Sequence, residues 1–132
     1  MKLVACTVAP TLLVVVLGAV SSGFQEPQGI EQDAQEFMQR KLDASRDVVE
    51  GLATEDFEKI ERSAQVLMLL SHESEWKVIQ TQRYLDMSAE FRSSAERLRD
   101  SAKAQNLDGA TLGYFEVTLN CVRCHRYVRN NE

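Results

Sequence analysis

The chain has 132 residues, 15 basic against 20 acidic side chains and three cysteines, which is one domain's worth of sequence. A formal charge of −5 argues against nucleic acid as the main partner. It suits a protein kept in solution by its own charge and weakly favours basic partners.

Met1-Lys2 gives a short positive start, and Leu3 to Val20 is apolar except at Thr7, Pro10 and Thr11. Ala19, Ser21, Ser22 and Gly23 then supply small residues. That order is expected of a secretory signal over residues 1–22, cleaved near Ser21–Gly23. The competing expectation is an uncleaved N-terminal membrane anchor, since a largely apolar run of 18 residues just spans a bilayer. Cys6 precedes the apolar run, the wrong order for an acylation site, so it is expected to leave with the leader. Two cysteines then remain, and the rest of the chain carries 14 basic and 20 acidic residues. The expected destination is the periplasm or another exported compartment.

Residues 23–30 hold Pro27 and two glycines without periodicity and read as a flexible tether. From 31 to 132 there is no proline, helical spacing recurs four times and strand alternation does not. The first helix is expected from Glu31 to Ala53, with Ala34, Phe37, Met38, Leu42, Val48, Val49 and Leu52 apolar and Ser45 interrupting the stripe. Thr54 is the expected N-cap of the second helix, which buries Phe57, Ile60, Ala64, Leu67 and Met68 and ends near Ser71. Residues 71–80 form a connection, with Trp76, Val78 and Ile79 folded inward.

The third helix runs from Thr81 to Gln105 through Tyr84, Met87, Phe91, Ala95, Leu98 and Ala102. Asp108 is the expected cap of the fourth, which reaches Arg129 through Tyr114, Val117, Cys121, Cys124, His125 and Val128. Four amphipathic helices with short connections predict an all-α, antiparallel four-helix bundle.

The chemistry is concentrated in Cys121-Val122-Arg123-Cys124-His125. C-x-x-C-H is the pattern of c-type haem attachment. Two residues between the cysteines put both thiols on roughly one side of a helix, where each can add across one vinyl group of the porphyrin edge. The next residue, histidine, can then bring a ring nitrogen to the iron. The expectation is one covalently bound haem c per chain, with Cys121 and Cys124 as attachment residues and His125 as the proximal ligand.

Three other readings of the pair compete with haem. A thioredoxin-like couple expects a βαβ setting. A structural zinc site needs four ligands, and His72, the other histidine, is far upstream. A plain disulfide fits an oxidising compartment.

A leader, four helices and one C-x-x-C-H near the C-terminus together resemble the class II c-type cytochromes, the cytochrome c′ family. The resemblance covers most of the mature chain in architecture, and its specific motif is the pentapeptide alone. It implies a distal position on the first helix. Some members place a methionine there that binds iron, and others an apolar side chain that leaves the iron five-coordinate. Counting back from the helix end puts that position near Met38, on the line Met38, Leu42, Ser45, Val49, Leu52.

Met38 is therefore the candidate distal ligand and Leu42 the candidate apolar lid, with Met87, Lys41 and His72 as further ligand candidates. Met68 reads as core. Ser45, Phe91 and Arg126 are candidates for the haem pocket. Trp76, Tyr84 and Tyr127 are candidates for lining the ring. Arg123, Arg126 and Arg129 are candidates for pairing with propionates or guiding a redox partner.

Three functions follow. The first is electron transfer with redox partner proteins through Fe(III)/Fe(II) cycling. The second is binding of a diatomic gas, nitric oxide or carbon monoxide. The third is a haem-free bundle with a redox-active or structural cysteine pair. No catalytic constellation is expected, and pairing of two bundles into a homodimer is compatible with the resemblance.

Overall fold

Helix formation here follows from apolar residues three and four apart in a stretch without proline, the second, third and fourth helices each being started by a short polar side chain. The computed structural model describes residues 28–73 and 81–130, with side chains from residue 34. Within these lie α1 (Gln28–Thr54), α2 (Phe57–Glu73), α3 (Gln82–Lys103) and α4 (Leu107–Asn130). No strand occurs among the described residues. The expected leader, residues 23–27 of the expected tether, and the part of the expected connection that holds Trp76, Val78 and Ile79 lie outside the described residues. Among the described residues, no helix is long and apolar enough to cross a membrane.

The helix starts correct three expectations. α1 begins at Gln28, three residues inside the expected tether. Thr54 does not cap α2; it is the last residue of α1, and its hydroxyl donates to the Glu50 carbonyl at 2.8 Å. The cap is Asp56, whose carboxylate accepts from the Lys59 amide at 2.9 Å. Nor does Asp108 cap α4: Asn106 Oδ1 accepts from the Gly109 amide at 2.9 Å, leaving Asp108 in the first turn. Thr81 caps α3 in the same way, through the Tyr84 amide.

The two tight connections repeat one device. Glu55 and Gln105 take left-handed backbone conformations, at φ 55° and 53°. The next amide returns to the helix just ended, from Asp56 to the Gly51 carbonyl and from Asn106 to the Ser101 carbonyl, each at 2.9 Å. This closes each helix with a Schellman-type turn and lets the following residue cap the next. The cost of a left-handed non-glycine residue is about 1–2 kcal/mol.

Cross-helix contacts make all neighbours antiparallel. Arg40 reaches Glu73 while Lys59 reaches Glu50, between α1 and α2. Gln65 takes Arg99 and Glu61 takes Lys103, between α2 and α3. Arg97 meets Glu116 and Thr81 meets Tyr127, between α3 and α4. Ser45 meets the Tyr114 hydroxyl at 3.0 Å between α1 and α4, which touch more sparsely than the other pairs.

The core contains Val48, Ile60, Leu67, Phe91, Leu98 and Val117 among the alanines at 44, 64, 95, 102 and 110. Every expected apolar residue of α3 is buried. Small residues bring helices close. A Cβ on Gly113 would stand 2.9 Å from Leu98 Cα and 3.0 Å from Leu98 N, backbone atoms that cannot step aside.

Gly113→Ala is therefore expected to cost about 1–3 kcal/mol by overpacking, read as a lower denaturation midpoint. Ser93→Ala, on the exposed face of α3, should change stability by less than about 0.5 kcal/mol.

Candidate functional site

α4 carries its buried face past the core. Cys121 is one turn beyond the fully buried Val117, and Cys124 falls on the same side almost a turn later. Both sulfurs are free thiols on half-buried residues. At this end of the bundle α1 contributes Met38 and Lys41, α2 contributes Ser71, and α3 contributes Tyr84, Met87, Ser88 and Phe91. With Asn120, Cys121, Cys124 and His125 they line one cavity. His125 stands exposed at its rim.

The cavity volume is about 40 Å³, room for little more than a water. Lys41 occupies the space beside it. Its ammonium lies 5.0 Å from the Phe37 ring and 4.7 Å from the Phe91 ring. That geometry stabilises a cation by about 0.5–2 kcal/mol. Burial nevertheless pulls the Lys41 ammonium below the usual lysine range; negative charge on Cys121 and Cys124 would pull it back up, and Arg92 adds to the lowering. Burial likewise pushes both thiols up, opposed by Lys41. The pair is thus held as neutral thiols at neutral pH.

The structure sorts the candidates. Met38, Met87, Lys41, Phe91 and Tyr84 line the cavity with Cys121, Cys124 and His125. Leu42 does not: it is 47% exposed, as Val49 is at 48%, so neither belongs to an inner stripe. The inward line of α1 is Lys41, Ala44, Val48 and Gly51. The expected line is turned by about a quarter of the helix toward the α1–α4 seam. Ser45 is spent on Tyr114 outside the cavity, and Met68 packs on the core as expected.

Arg126 and Arg129 are exposed and do not line the cavity. Arg123 lines an open groove between α3 and α4 instead. His72 is exposed in the last turn of α2. Tyr127 bonds Thr81 at 2.9 Å.

Ser71, Ser88 and Asn120 were not legible as site residues. Asn120 is anchored through its amide, which donates to Ser94 Oγ at 3.1 Å. The sequence clue to Lys41 is a lysine one turn after Phe37 on the buried face.

Two neutral thiols on one helix face, a histidine at the rim and a wall of Met38, Met87, Tyr84 and Phe91 suit haem, a ring that is apolar on its faces and polar at one edge. The set fits, provided Lys41 yields its place and α1 parts from α4 along their sparse seam. Among the described residues no group of three or more His, Cys, Asp or Glu gathers as a metal-binding cluster. A disulfide is disfavoured: side chains three apart on a helix stand about 5–6 Å apart at Cβ, against about 3.5–4.5 Å in a disulfide.

The opposed shifts make a testable pH dependence. The folded chain holds the thiol protons more tightly than the unfolded chain, whose thiols titrate near the ordinary 9.0. Their stabilisation is full below that value and lost as pH rises through the higher folded values. Lys41, being lowered, acts oppositely: it costs stability while protonated, and the cost is relieved as pH rises toward the ordinary 10.5. In the haem-free chain, Lys41→Met should therefore leave stability falling as pH is raised past 9.0. Adding Cys121→Ser and Cys124→Ser should flatten that fall, measured by urea denaturation across alkaline pH.

Comparison with protein-family models, with curated proteins and with solved structures returns no match.

Proposed function

We propose that this chain is an exported monohaem c-type cytochrome that carries electrons. The observation that supports it best is that Cys121, Cys124 and His125 of α4 line one cavity with Met38 of α1. In this reading Cys121 and Cys124 hold the haem by thioether bonds, and His125 supplies the proximal nitrogen. Met38 would be the residue to offer a thioether sulfur to the iron. When bound, haem supplies a one-electron Fe(III)/Fe(II) couple, and Met/His ligation favours its reduced form.

The remaining residues exclude water and set charge. Met87, Phe91 and Tyr84 are nearly fully buried and keep the inner wall dry. Lys41, which must leave the space beside the cavity for the ring to enter, would still carry its positive charge on the same turn of α1, and a nearby positive charge disfavours the oxidised form. The thiol-redox alternative loses support from the thiols themselves. A reactive Cys-x-x-Cys needs a lowered pKa, and here burial pushes both up.

Produced with a periplasmic c-type maturation system, the chain should gain the mass of one haem that survives denaturation. Cys121→Ser with Cys124→Ser should abolish it; a wild type without covalent haem refutes the proposal. His125→Ala should alter the spectrum or block maturation.

The choice between electron transfer and gas binding rests on Met38. A low-spin wild type that turns high-spin and binds carbon monoxide in Met38→Ala supports the electron carrier. A wild type already high-spin and open to carbon monoxide or nitric oxide makes Met38 a packing residue and the protein a gas binder.

A further inference from the structure

Four side chains around the cavity end in or carry sulfur: the thiols of Cys121 and Cys124 on α4, and the thioethers of Met38 on α1 and Met87 on α3. The haem reading employs three of these sulfurs and leaves Met87, buried on α3, as wall. Among the described residues, no carboxylate lines the cavity. Thiolate and thioether sulfur selects soft cations, Cu(I) in particular. Calcium and magnesium are held by oxygen, chiefly that of carboxylates.

Spacing and size suit such an ion. A metal that holds two thiolates at about 2.3 Å each lets the sulfurs stand up to about 4.6 Å apart, where a disulfide demands about 2.05 Å. The separation of Cys121 and Cys124 along α4, too wide for a disulfide, thus leaves room for an ion between the sulfurs. A cavity of about 40 Å³ admits an ion that has shed its water shell and no hydrated one. Charge then selects the oxidation state. Lys41, between the Phe37 and Phe91 rings, faces Cys121 and Cys124 and makes no ion pair among the described residues. Two thiolates around Cu(I) carry one net negative charge, which the Lys41 ammonium cancels. Around a divalent ion they carry none, and the Lys41 charge stays uncompensated, which is costly where water is scarce.

We propose that the haem-free chain binds one Cu(I) ion in this cavity, held by the Cys121 and Cys124 thiolates, closed by the Met38 and Met87 thioethers and balanced by the Lys41 ammonium. Binding forms two copper–thiolate bonds and releases the two thiol protons to solvent, and the metal stays Cu(I) throughout. The thioethers add bonds without moving charge. Haem and copper claim the same two thiols, so one chain holds one or the other. The copper site does not rest on haem ever being attached.

The test uses the full chain with Cys6→Ser, which removes the third thiol, produced without haem maturation and kept reduced under anaerobic conditions. It should take one Cu(I) per chain from the chelator bicinchoninate, and X-ray absorption should show monovalent copper surrounded by sulfur. Cys121→Ser with Cys124→Ser should abolish retention; where that variant is poorly folded by circular dichroism, the two alanine substitutions serve. Met38→Leu with Met87→Leu should weaken binding about 10-fold or more, since a direct ligand counts for no less than an outer-shell partner. Lys41→Met should weaken Cu(I) about 10- to 100-fold without weakening Zn(II), whereas a merely structural lysine would lower both. His72→Ala, on the exposed end of α2, should change nothing. Loss of all copper to the chelator, retention that survives removal of both thiols, a shell of nitrogen or oxygen alone, or Zn(II) bound more tightly than Cu(I) would each overturn the proposal. A chain that attaches haem yet refuses copper overturns this proposal and not the electron carrier; one that binds copper and never takes haem does the reverse.

Discussion

The close approach of α4 to α3 at Gly113 is the constraint on which the rest depends. With no side chain at that position, the α4 backbone lies against Leu98, and Val117 one turn later is carried fully inside. Asn120 then ties the next turn to Ser94, itself fully buried and bonded to the Phe91 carbonyl. These three contacts fix the rotation of α4 about its own axis. Everything its C-terminal turns present follows from that rotation: Cys121 and Cys124 toward α1, Arg123 toward the α3 groove, and Val122 and Arg126 outward.

Against that firm α3–α4 pair, the opposite seam is lightly made. α1 meets α4 through Ser45 and Tyr114 and through the residues around Lys41. A charged side chain between two aromatic rings is a compromise: the rings favour the cation while burial disfavours it. The outcome is a small cavity walled by side chains that can move, methionines and a lysine. Such a wall can rearrange more readily than the alanine-rich packing further along. There, Ala95, Leu98, Ala102 and Ala110 are fully or almost fully buried.

One helix thus divides its surface. Its inward face completes the core, its C-terminal turns hold the thiols and histidine, and its outward face leaves Leu112, Phe115, Leu119 and Val122 exposed. That outward face and the Cys-x-x-Cys-His segment overlap in sequence without competing for space. Residues 121 and 124 point into the bundle and 122 and 126 away from it, a consequence of 100° per residue.

Periodicity and a single motif were enough to read much of this from the amino-acid order. The four helices, the whole buried face of α3 and the Cys121-Cys124-His125 segment are local patterns, and local patterns survive without knowledge of partners. Boundaries were misjudged where two polar residues compete to cap one helix: Thr54 lost to Asp56 and Asp108 to Asn106, because a left-handed residue sits between the helices. The placement of α1 was legible only in part. Met38, Leu42, Ser45, Val49 and Leu52 form a convincing stripe on their own, yet a stripe does not say which neighbour it faces or how closely that neighbour comes. Tertiary structure decided that Leu42 and Val49 stay outside, that Met38 faces the thiols' cavity and that Lys41 goes in. The physical reason is that burial belongs to pairs of helices, and the rotation of each is set by contacts such as Gly113 on Leu98, between residues distant in the chain.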